Sequence, residues 1–324
     1  MLPEFSYVQP TTLSEAVRLL AAPGARAHAG GTDLLGCLRD GVLRADALVS
    51  LARVAELRGL RRGLDGGLVI GALTTLAEIA ANADLAARFP TLAQAAAAAA
   101  SPQLRNQGTL GGNLCQRPRC WYYRGEFHCA RKGGETCYAA EGENQFHCIF
   151  GGEVCFYVHP SDTAPALVAL DALVRIAGPA GTRSVPAAEF FVLPSVDVTR
   201  ETVLRPGELV TEVVLPAPAG EARGTYRKVR ARGAWDFALA GAAVTATLAG
   251  GRVERARVVL SGVAPVPWRV PAAERALAGR RLAHDAIAKA ASAAASGAQP
   301  LAQNAYKVEL VRAAVEEALL AIAG

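Results

Sequence analysis

Residues 108–162 read GTLGGNLCQRPRCWYYRGEFHCARKGGETCYAAEGENQFHCIFGGEVCFYVHPSD. Six of the seven cysteines lie in this stretch: Cys115, Cys120, Cys129, Cys137, Cys148 and Cys155; only Cys37 is outside. A glycine-rich turn opens it and Ser161-Asp162 closes it. Cysteines scattered through a core behave as small hydrophobes, but six in one segment rich in Arg, Gly and Glu do not fit that role. A disulfide framework belongs to small secreted domains; this chain has 324 residues and an odd number of cysteines. Structural zinc sites usually present closely spaced cysteine pairs; no C-x2-C occurs here, and the spacings from Cys120 to Cys129, Cys129 to Cys137 and Cys137 to Cys155 are all wider. The usual ferredoxin spacing is absent too. Spacing favours metal over disulfides and leaves zinc and iron–sulfur both open.

The length predicts two or three domains, and a hydrophobic fraction of 52% supplies real cores. No apolar run is long enough to cross a bilayer, and the Ala-rich run 93–100 reads as a soluble helix. The opening MLPEFSYVQP lacks a basic segment followed by an apolar one, so no export signal is visible and cytoplasm is the default expectation. A net charge of +5, from 34 basic and 29 acidic residues, is too balanced to argue for nucleic acid.

Outward from the cysteine stretch, residues 11–22 predict a helix behind a capping Thr. ARAHAGGTDLLGCLRDG then reads as strand, Gly-Gly turn and helix start. Gly30 and Gly31 permit backbone conformations closed to other residues, and backbone N–H groups at such a turn suit a phosphate. A plain strand–turn–helix explains this motif equally well. Neither G-x-G-x-x-G nor a P-loop occurs. GGLVIGALTTLAEIA gives a strand, a Gly71 turn and a helix. SPQLRNQGTLGGN brings a second Gly-Gly turn, at Gly111-Gly112, flanked by Thr109 and Asn113. Two such turns suggest one extended polar ligand gripped at several points. Ser161-Asp162 reads as an N-cap pair for a helix over 163–170. Residues 172–177 and 182–186 predict a hairpin, and the region after 219 alternates as antiparallel strands. Two helices, over 271–296 and 301–323, close the chain.

The motifs AGGTDLL (29–35), IGALTTLAEIA (70–80), SPQLRNQGTLGGNLCQ (101–116), HPSD (159–162), YRKVRARGAWDFA (226–238) and NAYKVEL (304–310), in this order, resemble the FAD-binding (medium) subunit of the molybdenum hydroxylases, the xanthine dehydrogenase and aldehyde oxidoreductase superfamily. The segment between TLGGN and Ser-Asp resembles the insert that carries an extra [4Fe-4S] cluster in periplasmic-type aldehyde oxidoreductases and in the beta subunit of 4-hydroxybenzoyl-CoA reductase. The resemblance implies an α+β fold: a two-part FAD-binding domain of the PCMH type over 1–219, with the iron–sulfur insert at 115–158, then a CO dehydrogenase flavoprotein C-terminal-like domain over 220–324. It implies that Gly30, Gly31, Thr32, Asp33 and Leu34 hold the FAD pyrophosphate, with Ala29 and Leu35 at the edges. Thr109, Gly112 and Asn113 form a second grip, and Asp162, Leu193 and Lys228 lie near the flavin. The cluster ligands it implies are Cys120, Cys129, Cys137 and Cys155, leaving out Cys115 and Cys148.

The implied function is an electron-transfer subunit of an oxidoreductase, carrying FAD and a [4Fe-4S] cluster. Its partners would be a molybdenum cofactor-binding large subunit and a [2Fe-2S] small subunit. Substrate chemistry would rest with the molybdenum partner, and export would depend on a signal-bearing partner. The alternatives are a stand-alone flavin oxidoreductase of the same fold, against which the five histidines show no visible grouping, and a zinc-stapled interaction module.

Overall fold

The computed structural model describes residues 2–63 and 65–324. Its first unit is a parallel sheet of β1 (Ser6–Val8), β2 (Ala25–His28) and β3 (Ala47–Ser50), in the order β1–β3–β2. The helix Leu13–Leu20 joins β1 to β2. Thr12 caps it by accepting the Glu15 N–H at 3.2 Å, and its Ala16 and Leu20 pack with Val49 and Leu51. β1 has no counterpart in the sequence reading, because three residues between prolines are too short for a period to register.

The second unit is an antiparallel sheet of β4 (Leu60–Arg62), β5 (Leu68–Gly71), β6 (Leu173–Gly178), β7 (Gly181–Pro186) and β8 (Leu209–Leu215), in the order β4–β5–β8–β6–β7. Leu68, Ile70, Val174, Ile176 and Val213 share one core with the helices Leu76–Ala81, Ala83–Arg88, Pro90–Ala98 and Thr163–Ala169.

The third unit is an antiparallel sheet of β9 (Glu221–Val229), β10 (Ala240–Ala249), β11 (Arg252–Ser261) and β12 (Trp268–Arg269). It is covered on both faces, and side-chain alternation divides the load. Ala242, Val244 and Ala246 face the C-terminal helices. Ala243, Tyr226 and Val259 face the core of the second unit. Small residues let the Ala-rich helix Pro90–Ala98 approach this second face closely: a Cβ on Gly224 would lie 2.3 Å from Thr91 Oγ1. Gly250 and Gly251, at φ +57° and +72°, make the tight turn between β10 and β11.

Two expectations about the C-terminal part are corrected. The helix expected over 271–296 is two, Pro271–Leu277 and His284–Ala294, broken where Gly279 takes φ +70°. The last helix begins at Tyr306, not 301.

Candidate functional site

Three joined cavities form one cleft. The first is bounded by the Gly30-Gly31 turn. It shares Thr32, Asp33, Thr109, Gly112 and Gln116 with the second. The second shares Arg119, Pro160, Asp162, Asp236 and Phe237 with the third, which opens between the cysteine insert and the loop after β9.

The first wall is the loop from β2 to the helix Leu34–Arg39. A Cβ on Gly30 would fall 1.8 Å from the Gln107 carbonyl, and Gly31 sits at φ +71°; neither position tolerates a side chain. The backbone N–H groups of Gly31, Thr32, Asp33 and Leu34 find no acceptor among the described residues. Successive free N–H groups at such a turn form an anion cradle. The Asp33 carboxylate turns instead toward the insert, accepting from Arg124 Nη2 at 2.7 Å and from the Arg117 N–H at 2.7 Å, with Arg119 Nη1 at 3.0 Å. Leu35 packs behind the turn, against Leu38, Ala45 and Leu48.

The second wall differs from its reading. Gly111 and Gly112 are not a turn but the start of the helix Leu110–Leu114, capped by Thr109. The N–H groups of Leu110 and Gly111 already donate to Thr74 and Ala72 carbonyls. Gly111 is small because Ala72 lies against it, a Cβ there coming within 3.0 Å. Gly112 and the Thr109 side chain remain on the cleft. Asn113 Oδ1 accepts from Ser161 Oγ at 2.5 Å and Thr163 Oγ1 at 2.6 Å, locking this wall to the 161–163 segment.

At that segment Ser161 does the capping, accepting the Ala164 N–H at 2.9 Å, while Asp162 makes no cap bond. Asp162 is buried and accepts from Tyr226 Oη at 2.7 Å and Lys228 Nζ at 2.8 Å. Burial raises its pKa, against the pull of Lys228. Lys228 also donates to the Ala98 carbonyl at 3.1 Å. Leu193 does not line these three cavities; it lies beside Gly151 and Trp268. Sequence reasoning missed Tyr226, Arg119, Gln116, His159 and Phe237. Tyr226 stands in the quoted YRKV motif; an aromatic hydroxyl two residues before Lys228 shares its face of β9. His159 lines the third cavity, and burial holds its pKa down to about 3, so it is neutral.

The cysteines separate into two groups. Cys120, Cys129, Cys137 and Cys155 line one small enclosed space, with Tyr122, Tyr123, Tyr138, Tyr157 and Arg131 around it. Cys115 borders the first cavity of the cleft. Cys148 is buried with its Sγ against Gly152, where a Cβ would come within 2.5 Å of it. Among the described residues no group of three or more His, Cys, Asp or Glu side chains is arranged to hold a metal ion. Cys137 is lowered to about 6, first by a hydrogen bond from the Cys155 thiol and then by the N–H groups of Phe156, Ala139 and Ala140; Cys155 is raised in turn. Arg131 and Glu201 form a buried ion pair beside them, and Arg131 lies over the Tyr157 ring at 4.6 Å.

The insert is anchored on the third unit. Asn304 Nδ2 donates to the His147 and Cys148 carbonyls at 3.1 and 3.2 Å. The buried Lys307 Nζ donates to the carbonyls of Phe146 at 3.0 Å and Gly262 at 2.8 Å. Burial lowers Lys307 to about 7. Both residues belong to NAYKVEL.

This α+β fold presents an anion cradle at one end of a long cleft, the arrangement of a protein that binds an extended phosphate-bearing ligand. Residues 3–218 match the family described as FAD binding domain in molybdopterin dehydrogenase, and residues 199–322 match the CO dehydrogenase flavoprotein C-terminal domain. The chain is 37% identical over 321 residues to the aldehyde oxidoreductase FAD-binding subunit PaoB of Escherichia coli (strain K12), covering 95% of each. It is 32% identical to the carbon monoxide dehydrogenase medium chain of Hydrogenophaga pseudoflava, covering 92% of this chain and 88% of that one. A solved structure of carbon monoxide dehydrogenase from Hydrogenophaga pseudoflava superposes with a TM-score of 0.79 at 30% identity, covering 99% of this chain and 98% of the other. The chain belongs to the FAD-binding medium subunits of the molybdenum hydroxylases, and is an oxidoreductase flavoprotein subunit of that kind. Among the described residues no helix is long and apolar enough to cross a membrane.

Proposed function

We propose that this chain is the electron-relay subunit of a heteromeric complex, holding FAD in the cleft and a [4Fe-4S] cluster in the cysteine pocket, beside a molybdenum subunit and a [2Fe-2S] subunit. The cleft supports the flavin assignment: its free N–H groups at 31–34 suit a pyrophosphate, and Asp162, paired with the buried Lys228, lines the junction of its second and third cavities. FAD, when bound, exchanges electrons singly or in pairs and so joins one-electron centres to a final acceptor. The chain's own residues position it. Gly31–Leu34 present amides, Thr109 and Gly112 border its path, and the Asp162–Tyr226–Lys228 cluster fixes a charged, hydrogen-bonded floor.

The observation that carries the cluster assignment is the common enclosure of Cys120, Cys129, Cys137 and Cys155. Four cysteine thiols around one space match the four-cysteine ligand set of a [4Fe-4S] cluster. The backbone N–H groups directed at Cys120 and Cys137 suit thiolates. Cys155, not Cys148, is the fourth ligand on this reading. Iron and flavin analysis should find about one FAD and one four-iron cluster per chain. Cys155→Ser should lose the cluster and Cys148→Ser keep it; stoichiometric zinc without iron would refute the assignment.

The relay role predicts that the isolated chain binds FAD but does not oxidise an aldehyde or a purine with a dye acceptor. Adding the molybdenum and [2Fe-2S] partners should bring turnover. Sustained oxidation by the chain alone would establish a stand-alone flavoenzyme instead.

A further inference from the structure

Of the pocket's four cysteines, Cys120 has a histidine at its sulfur. His147 Nε2 lies 3.2 Å from Cys120 Sγ. The same sulfur receives the backbone N–H groups of Tyr122 and Tyr123, at the start of the helix Trp121–Arg124. His147 is buried and held on every side. Trp121 meets its ring edge-on at 5.7 Å, its N–H donates to the Asn144 carbonyl at 2.9 Å, and its own carbonyl accepts from Asn304. Cys120 and His147 also both line the third cavity of the cleft, so they form part of the wall between the cleft and the cysteine pocket.

We propose that His147 donates its Nε2–H to the Cys120 thiolate and thereby raises the reduction potential of the cluster. This rests on the cluster assignment made above. A metal-bound cysteine carries no proton, so the contact runs only from imidazole N–H to sulfur. The rest of the ring agrees. Nδ1 is buried and meets no hydrogen-bond partner. With the proton on Nδ1, a lone pair would face the thiolate. Reduction adds negative charge to the cluster, which spreads onto its sulfurs. A donor at sulfur stabilises that reduced form more than the oxidised one, and hydrogen bonds to sulfur are a main determinant of cluster potential. His147 supplies a side-chain donor, so one substitution removes it without touching a ligand.

Iron content of the purified wild-type chain is measured first. Then the cluster's midpoint is measured by a redox titration monitored by electron paramagnetic resonance in wild type, His147→Leu and His147→Gln. His147→Leu should keep its iron and shift to lower potential. His147→Gln, which restores an N–H, should recover part of the shift. Wild type grown with isotope-labelled histidine should also show a ring-nitrogen coupling to the reduced cluster; this reads the contact even where His147→Leu fails to assemble. An unchanged midpoint in iron-replete His147→Leu, or no coupling in the labelled wild type, overturns the proposal alone. A wild type that holds no iron overturns the cluster assignment and this proposal with it.

Discussion

Two glycine pairs stand on facing walls of the cleft and do opposite things. Gly30-Gly31 keeps its turn open: one glycine avoids the Gln107 carbonyl, the other takes φ +71°, and the N–H groups from Gly31 to Leu34 stay free. Gly111-Gly112 starts a helix whose first N–H groups are consumed by Ala72 and Thr74. The first pair makes a ligand site out of backbone; the second lets a helix press against a strand end, with Thr109, Gly111 and Gly112 bordering the cleft. Equal sequence signals thus divide into binding and packing, according to which N–H groups the rest of the fold has already used.

The comparison breaks most sharply at Gly31. Gly31→Val forces a β-branched residue into the left-handed region and closes the cradle. Flavin per folded chain, read from absorbance with circular dichroism as the folding control, should fall below roughly a tenth of wild type, as expected when backbone approach to a phosphate is blocked. Full flavin in a folded variant would remove the cradle from the site.

Next comes the response of the third cavity's lining to acid. His159 is held neutral by burial, with a folded pKa of about 3 against an ordinary 6.5. Between those values the unfolded chain binds the proton and the folded chain does not. Stability is therefore complete above pH 6.5 and is lost as pH falls toward 3. Denaturant melts across that window should show the decline, and His159→Phe should flatten it. An equal slope in the variant would place the acid sensitivity elsewhere.

Gly111→Val should act on stability, not on flavin. Overpacking Ala72 costs about 1–3 kcal/mol, seen as a lower unfolding midpoint, while the molecules that fold keep FAD. A variant that is stable but flavin-free would make the two pairs alike after all. The smallest effect belongs to Thr109→Ala, which removes the cap bond to Gly112 and should cost about 1 kcal/mol with modest loss of flavin affinity. The same variant losing all flavin would make the Thr109 hydroxyl a ligand contact rather than a cap.

The contrast also marks what local pattern conveys. Strand alternation in β9 to β11, the hairpin of β6 and β7, and the cap at Thr12 were readable because each depends on residues near in sequence. The split of 271–296 was not, since an Ala- and Arg-rich run with one glycine carries helical propensity throughout, and Gly279 alone marks the break. The cap role of Asp162 was misread because Asp and Ser both cap well. What decides between them is Lys228 and Tyr226, brought in from β9 to take the carboxylate.

The sequence by itself determined the α+β class, the flavin-subunit family and the presence of a cysteine-rich insert. These rest on ordered motifs and residue types, which need no coordinates. Tertiary structure decided which amides remain free, that Asp33 serves the insert's arginines, and that Cys155 faces Cys137 while Cys148 faces Gly152. A hydrogen bond or a sulfur's direction is set by partners far away in the chain, and burial makes each such choice exclusive: a buried polar group satisfied in one direction is not available in another.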